Sequence, residues 1–335
     1  MNEIFFHLFF LFVCLVAYKY RYNIGNKLNL IDNPDNLRKV HDIPIPSIGG
    51  LIIFPYVISS IIFLYYLTII NIKTLLLLIF LYSSFFFVGF IDDRINLNAK
   101  TKIFILIFLL FITIPLDPNL YFETLVFRDL PKSILLNEGY LFFTIFCIFF
   151  FYNSLNFADG YNGIGILLSL YFLLVILICN NNYNVFYLSI ILSLTYLLLP
   201  NILGKIFIGN SGVSFLSIVL CLLAIDTYNK GNIFFDEIIL VVLLPTLDTA
   251  RITIERIIQG KSPLSSDKNH FHHLLNKLFN KKYIFIPYML IAISPYLISK
   301  FFFNTYFSLV LFVIFYFILL VTLKKKKCLK FLFII

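Results

Sequence analysis

"LLLLIFLYSSFFFVGFIDDR", Leu75 to Arg94, holds the two properties on which the reading of this chain turns. A run without a single charge stops at two adjacent carboxylates, Asp92 and Asp93, with Arg94 after them. As a helix, the run 74–91 has roughly the length that crosses a bilayer core. Two neighbouring carboxylates at a membrane boundary repel each other and lose solvation, so something cationic should hold them. Mg2+ takes one or two carboxylates together with substrate phosphates. Arg94 and Lys100 are the other candidates, and a solvated helix end is the plain alternative.

The rest of the chain is built in the same way. Of its 335 residues 61% are hydrophobic and 13% charged, with a mean hydropathy of +0.95. Soluble domains are about 45–50% apolar and about 25% charged. The composition predicts an all-α, polytopic membrane protein that forms a single integral-membrane domain over 1–335. Eleven runs read as spans: 3–20, 48–70, 74–91, 101–116, 139–153, 161–179, 184–200, 213–227, 233–247, 284–300 and 303–323. They are continuous rather than alternating, which excludes a β-barrel. No repeat and no soluble module stands out, and 117–138 reads as a surface segment. Basic residues follow the first run instead of preceding it, so it reads as a retained span and not a cleaved leader. Cys14, Cys147, Cys179, Cys221 and Cys328 form no C-x-x-C and read as small apolar residues.

Charge orients the spans. With the N-terminus outside, 21 of the 26 Lys and Arg fall on the inner side, and the C-terminal "KKKKCLK" is cytoplasmic too. The net charge of +9 is then largely a property of one face. It favours anionic lipid headgroups and anionic substrates. The polar clusters fall on that face as well.

"NSLNFADGYNGI" (153–164) spaces Asn153, Asn156 and Asp159 along one side of a helix end, where polar groups are costly unless they pair. Gly160 and Gly163 after them suit a turn or a close ligand. "KIFIGNSGV" (205–213) crowds Gly209, Asn210, Ser211 and Gly212 between two apolar runs. The stretch 245–273 holds Asp248, Arg251, Arg256 and then "HFHH". Arginine clusters pair with phosphates, and His270, His272 and His273 could hold a metal, donate to a phosphate or move protons. Surface histidines on a loop are the plain alternative. Arg38, Lys39 and His41 form a further basic knot. Carboxylates, amides, basic residues and histidines together suit Mg2+-dependent chemistry on phosphates at a membrane surface.

Taken in order, these motifs resemble those of the polyprenyl-phosphate N-acetylhexosamine-1-phosphate transferases, from about Arg38 to Leu274. "GFIDDR" is similar to the family's Asp-Asp motif. "NSLNFADGYNGI" is similar to N-x-x-N-x-x-D-G-x-[DN]-G, and "KIFIGNSGV" to F-x-G-D-x-G-[SA]. "DKNHFHHLL" resembles the histidine loop. The resemblance implies Asp92, Asp93 and Asp159 as catalytic groups. It implies Asn153, Asn156, Phe207, Gly209, Arg256, His270, His272, His273 and Lys102 as substrate contacts. The cofactor implied is Mg2+, with Mn2+ able to replace it, on Asp92, Asp93, Asp159 and Asn210. Where the family has Asp, this chain has Asn210, and Val213 stands where Ser or Ala is usual.

The implied reaction moves a sugar-1-phosphate from a UDP-N-acetylhexosamine, UDP-GlcNAc or a relative, to undecaprenyl phosphate and releases UMP. It would start an O-antigen-type polysaccharide at the bacterial cytoplasmic membrane. Membrane lipids are expected partners and nucleic acid is not; assembly as a homodimer stays open. "HFHH" followed by Leu-Leu differs from the muramoyl-pentapeptide enzyme, which has three consecutive histidines followed by Phe-Glu. Two other readings remain: a catalytically weak paralogue, suggested by Asn210, and a transporter, against which the charges cluster at one face.

Overall fold

The computed structural model describes residues 2–34, 43–180, 184–263 and 269–324. Arg38, Lys39 and His41, the 264–268 part of the histidine loop and the 325–335 tail lie outside them. The described chain is helical. In order come α1 (Asn2–Lys19), α2 (Arg21–Leu28), α3 (Gly49–Tyr66), α4 (Ile72–Ile95), α5 (Ala99–Thr113), α6 (Tyr140–Ala158) and α7 (Ile164–Asn180). Then come α8 (Val185–Ile202), α9 (Gly209–Asn229), α10 (Phe235–Ile258), α11 (Phe271–Leu275), α12 (Phe285–Phe301) and α13 (Thr305–Lys324). Two short antiparallel ribbons complete it, β1 (Ile31–Asp32) with β2 (Ile45–Pro46) and β3 (Thr124–Leu125) with β4 (Ile134–Leu135).

Each of the eleven expected spans is a helix, but they are not equal. Among the described residues eight helices are long and apolar enough to cross a membrane, or nine if α1 and α2, bent by 73°, count as one span. α7 is shorter. α10 carries Asp236, Glu237, Asp248, Arg251, Glu255 and Arg256. Of the thirteen helices among the described residues, eight or nine therefore meet the length and apolarity of a span where eleven were expected. The 117–138 segment is also more than surface. It folds into the β3–β4 ribbon and buries Leu120, Phe122 and Leu125.

Asparagines mark the helix ends. The side chains of Asn71, Asn98 and Asn184 accept N–H bonds at the starts of α4, α5 and α8, each worth about 1 kcal/mol. Asn96 closes α4 in the left-handed conformation. Inside the bundle, helices meet through small and polar groups, because lipid gives them no hydrophobic reason to associate. Ser189 Oγ donates to Ser60 Oγ (2.9 Å) between α8 and α3, and His7 bonds Tyr56 (2.7 Å) between α1 and α3.

α9 is the axis, buried along nearly its whole length. α3, α4, α6 and α7 surround it. Glycines let its first turn touch them. A Cβ on Gly50 would lie 2.5 Å from the Gly212 nitrogen, and one on Gly89 would collide with the Asn210 carbonyl and come within 2.7 Å of the Ser211 Cα. Gly89→Val should therefore destabilise the protein by about 3 kcal/mol or more, since overfilling a contact moves backbone. Its melting temperature in detergent measures this, and a wild-type value would mean that α4 and α9 part without cost.

Candidate active site

The site grows from the start of α9. Phe207 N–H donates to the Pro46 carbonyl. Gly49 and Gly50 N–H donate to the carbonyls of Phe207 and Ile208, all at 2.9 Å. The first N–H groups of α3 are thereby satisfied, and those of α9 need another acceptor. Asp93, from the end of α4, supplies it. Its Oδ1 accepts Asn210 N–H (2.7 Å) and its Oδ2 accepts Ser211 N–H (2.9 Å). The positive end of the helix dipole favours a carboxylate there. Gly209 permits the approach. Its φ is +76°, and a Cβ would sit 2.7 Å from Asp93 Oδ2.

Asp159 does the same for α7. It terminates α6, and its carboxylate accepts Gly165 N–H. Burial pushes this carboxyl up to about 7 against the pull of that N–H, and the Asp93 charge adds to the rise. Two helix N-termini thus hold two carboxylates within electrostatic reach, although 93 and 159 are far apart in sequence. Asp92 turns the other way. Its Oδ2 pairs with Lys102 Nζ (2.7 Å), and its Oδ1 accepts Leu97 N–H (2.9 Å). Lys102 also lies over the Tyr152 ring of α6, 5.6 Å from its centre.

The histidines pack onto the Asp159 turn. His272 is buried, and a Cβ on Gly160 would lie 2.5 Å from its Nε2. Burial, with His273 and then His270 close by, holds the His272 imidazole well below its usual range. It is neutral at pH 7. His273 Nδ1 lies 3.4 Å from the Tyr161 hydroxyl. His270 Nδ1 meets Asp248 Oδ2 (3.1 Å), which also accepts Phe271 N–H (3.1 Å). Asp248 Oδ1 takes Arg251 Nη2 (2.7 Å) and the Tyr316 hydroxyl (2.9 Å). The histidine loop is thus fixed to α10 and α13 by one buried carboxylate.

The structure gives several of the expected residues their partners. Lys102, not Arg94 or Lys100, holds the Asp pair, and it holds Asp92 alone. Arg94 instead lies near the Phe90 ring. Gly209 serves the Asp93 contact. Asn153 Nδ2 donates back to the Phe149 carbonyl (2.8 Å), and Asn156 is half-buried one turn before Asp159. Arg256 is buried, donates to the Pro263 carbonyl (2.7 Å) and lies near the Phe157 ring. His270 and His272 are not surface histidines. Phe207 is half-buried beside its two backbone bonds. Asp248 was visible in sequence only as a carboxylate three residues before an arginine. Asn201 had no signal: its Oδ1 accepts Gly163 N–H (2.6 Å) and its Nδ2 donates to the Ile206 carbonyl (3.0 Å), which joins the two glycine turns.

No group of three or more His, Cys, Asp or Glu forms a ready metal cage among the described residues. Asp93 and Asp159 nonetheless offer hard oxygen donors within electrostatic reach of each other, and the half-buried Asn210 directly follows Gly209 beside Asp93. That set fits Mg2+, which keeps waters and substrate oxygens around one or two protein carboxylates.

A bundle of membrane helices with a carboxylate and histidine site at one end defines a polytopic membrane protein with the makings of a phosphate-handling enzyme. The glycosyl transferase family 4 model matches residues 74–228. An undecaprenyl-phosphate alpha-N-acetylglucosaminyl 1-phosphate transferase of Salmonella typhi is 26% identical over 84% of this chain and 79% of its own length. A probable undecaprenyl-phosphate N-acetylglucosaminyl 1-phosphate transferase of Bacillus subtilis is 28% identical over 75% and 71%. An Escherichia coli K12 protein with the same name as the first is 25% identical over 84% and 79%. Over residues 74–228, then, the chain is similar to glycosyl transferase family 4.

Proposed function

We propose that this protein transfers an N-acetylhexosamine-1-phosphate from a UDP-sugar such as UDP-GlcNAc to undecaprenyl phosphate, releases UMP, and so starts an O-antigen-type envelope polysaccharide. The observation that supports this is that Asp93 and Asp159 each cap a helix N-terminus within electrostatic reach of one another, with the histidine loop packed on the Asp159 turn and Lys102 paired with the neighbouring Asp92. The relatives' names agree with it. The site faces the cytoplasm of the bacterial inner membrane, with the N-terminus outside and the C-terminus inside, as the Lys and Arg bias favours.

The nucleophile is an oxygen of the lipid phosphate, mostly ionised at neutral pH because its second pKa is about 6. No strong base is required, and positioning with charge neutralisation does most of the work. Asp93 and Asp159, with the Asn210 amide, would hold Mg2+, which supplies charge neutralisation at the diphosphate. Asp92 orients Lys102, whose ammonium is placed to meet a phosphate oxygen. Neutral His272 can hydrogen-bond but not neutralise charge, and Asp248 orients His270. Phe207 offers a flat face for the uracil.

The test is UMP release by purified protein given undecaprenyl phosphate, Mg2+ and a panel of UDP-sugars. No UMP from any of them would overturn the reading. Asn210→Asp adds a charge beside Asp93 and is expected to tighten the apparent Mg2+ affinity. An unchanged Mg2+ titration would remove residue 210 from the metal's surroundings.

A further inference from the structure

The end of the bundle opposite the carboxylate site carries the β3–β4 hairpin, and the hairpin shows apolar residues outward. Ile134 and Leu135 are neighbours in β4, so their side chains leave opposite faces of the ribbon. Both are exposed, Leu135 to 65%, and Leu130 in the connecting turn is exposed too. The turn between α12 and α13 exposes Phe301, Phe302 and Phe303, with Phe302 at 76%. Asp129 fixes these two features side by side, accepting both the N–H and the hydroxyl of Thr305 at 2.6 Å.

An ionic network centred on buried Glu237 and Asp236 ties the hairpin to α10 and α12. Glu237, at the start of α10, pairs with Arg128 Nη1 (3.0 Å) and with Lys300 Nζ (2.6 Å) at the end of α12. Asp236 accepts the Arg128 N–H (3.1 Å) and the Thr305 hydroxyl. Phe235 N–H donates to the Val126 carbonyl (3.0 Å). The Tyr228 hydroxyl donates to the Thr124 carbonyl and accepts the Val126 N–H, both at 2.7 Å.

We infer that this patch is seated in the boundary between headgroups and acyl chains of the adjoining leaflet, with Leu130, Ile134 and Leu135 against lipid. The surface is continuous with one already in the bilayer. α12 and α13 expose Leu297, Phe307 and Ile314, and the hairpin and the Phe301–Phe303 turn extend that apolar surface past the helix ends. Lys132 lies in the same turn, where a cation meets headgroup phosphates. Lipid contact removes from water the Leu130, Ile134 and Leu135 side chains that the protein itself leaves exposed. This inference does not depend on the proposed reaction.

The chain contains no tryptophan, so Leu135→Trp makes a single reporter in the full-length protein. In nanodiscs, lipids brominated near the headgroup are expected to remove more than half of its fluorescence. Lipids brominated deep in the chain should remove less, and aqueous acrylamide little. Leu130→Trp should behave in the same way and serves as the second reporter. Free access to acrylamide with no bromine effect would overturn the inference by placing the hairpin in water. Blue-shifted emission indifferent to brominated lipid, with a dimeric mass in native mass spectrometry, would overturn it by showing that a second copy covers the patch.

Discussion

Asp159→Asn is expected to cut UMP release at least about a hundredfold, the scale of losing a key electrostatic contact in the transition state, while the protein stays folded. The carboxylate of Asp159 accepts one N–H, from Gly165, and an asparagine oxygen can still accept it. What disappears is a carboxyl near Asp93 that can carry negative charge toward a cation. Asp93→Asn differs. Both of its oxygens accept N–H groups of α9, so an amide there turns an NH2 toward one of them. Asp93→Asn should lose activity and also about 1–3 kcal/mol of stability, the cost of an unsatisfied buried group. UMP release and melting temperature together separate the two variants. A near-wild-type rate for Asp159→Asn would show that the reacting phosphates lie elsewhere.

Asp248→Ala should have the largest effect on stability. The Arg251 side chain is 4% exposed, and Asp248 is its buried partner. Removing one member of a buried pair strands the other and costs about 3–5 kcal/mol. The Tyr316 hydroxyl and His270 lose their acceptor at the same time. Thermal unfolding in detergent measures the cost. An unchanged melting temperature would mean that Glu255, already 2.9 Å from Arg251 Nη1, takes over the charge. Activity should fall as well, because His270 then lacks the group that orients it.

Much of this site is legible in the amino-acid sequence. The uncharged runs mark the helices, since a polypeptide in lipid must satisfy its backbone internally. The costly polar residues at the ends of those runs mark the end of the bundle where polar groups gather. Partner choice is not legible. Asp92 and Asp93 are neighbours in sequence, but successive residues on a helix point about 100° apart, given 3.6 residues per turn. One therefore reaches Lys102 on α5 and the other reaches the start of α9. The glycines are also ambiguous. A missing Cβ serves a bound ligand and a neighbouring helix equally well, and here Gly50, Gly89 and Gly212 serve helices.

By itself, then, the sequence determined an all-helical membrane protein, the end of the bundle where its carboxylates and histidines gather, and a motif order similar to that of one transferase family. Hydropathy and motif order are local properties that each segment carries alone. Only the tertiary structure decided that Asp93 and Asp159 each take a helix N-terminus within electrostatic reach of one another while Asp92 faces Lys102, that His272 is buried and neutral, and that Asp248 anchors the histidine loop. Each of these depends on which helix ends meet, and that is set by close backbone packing around α9, which no single segment encodes.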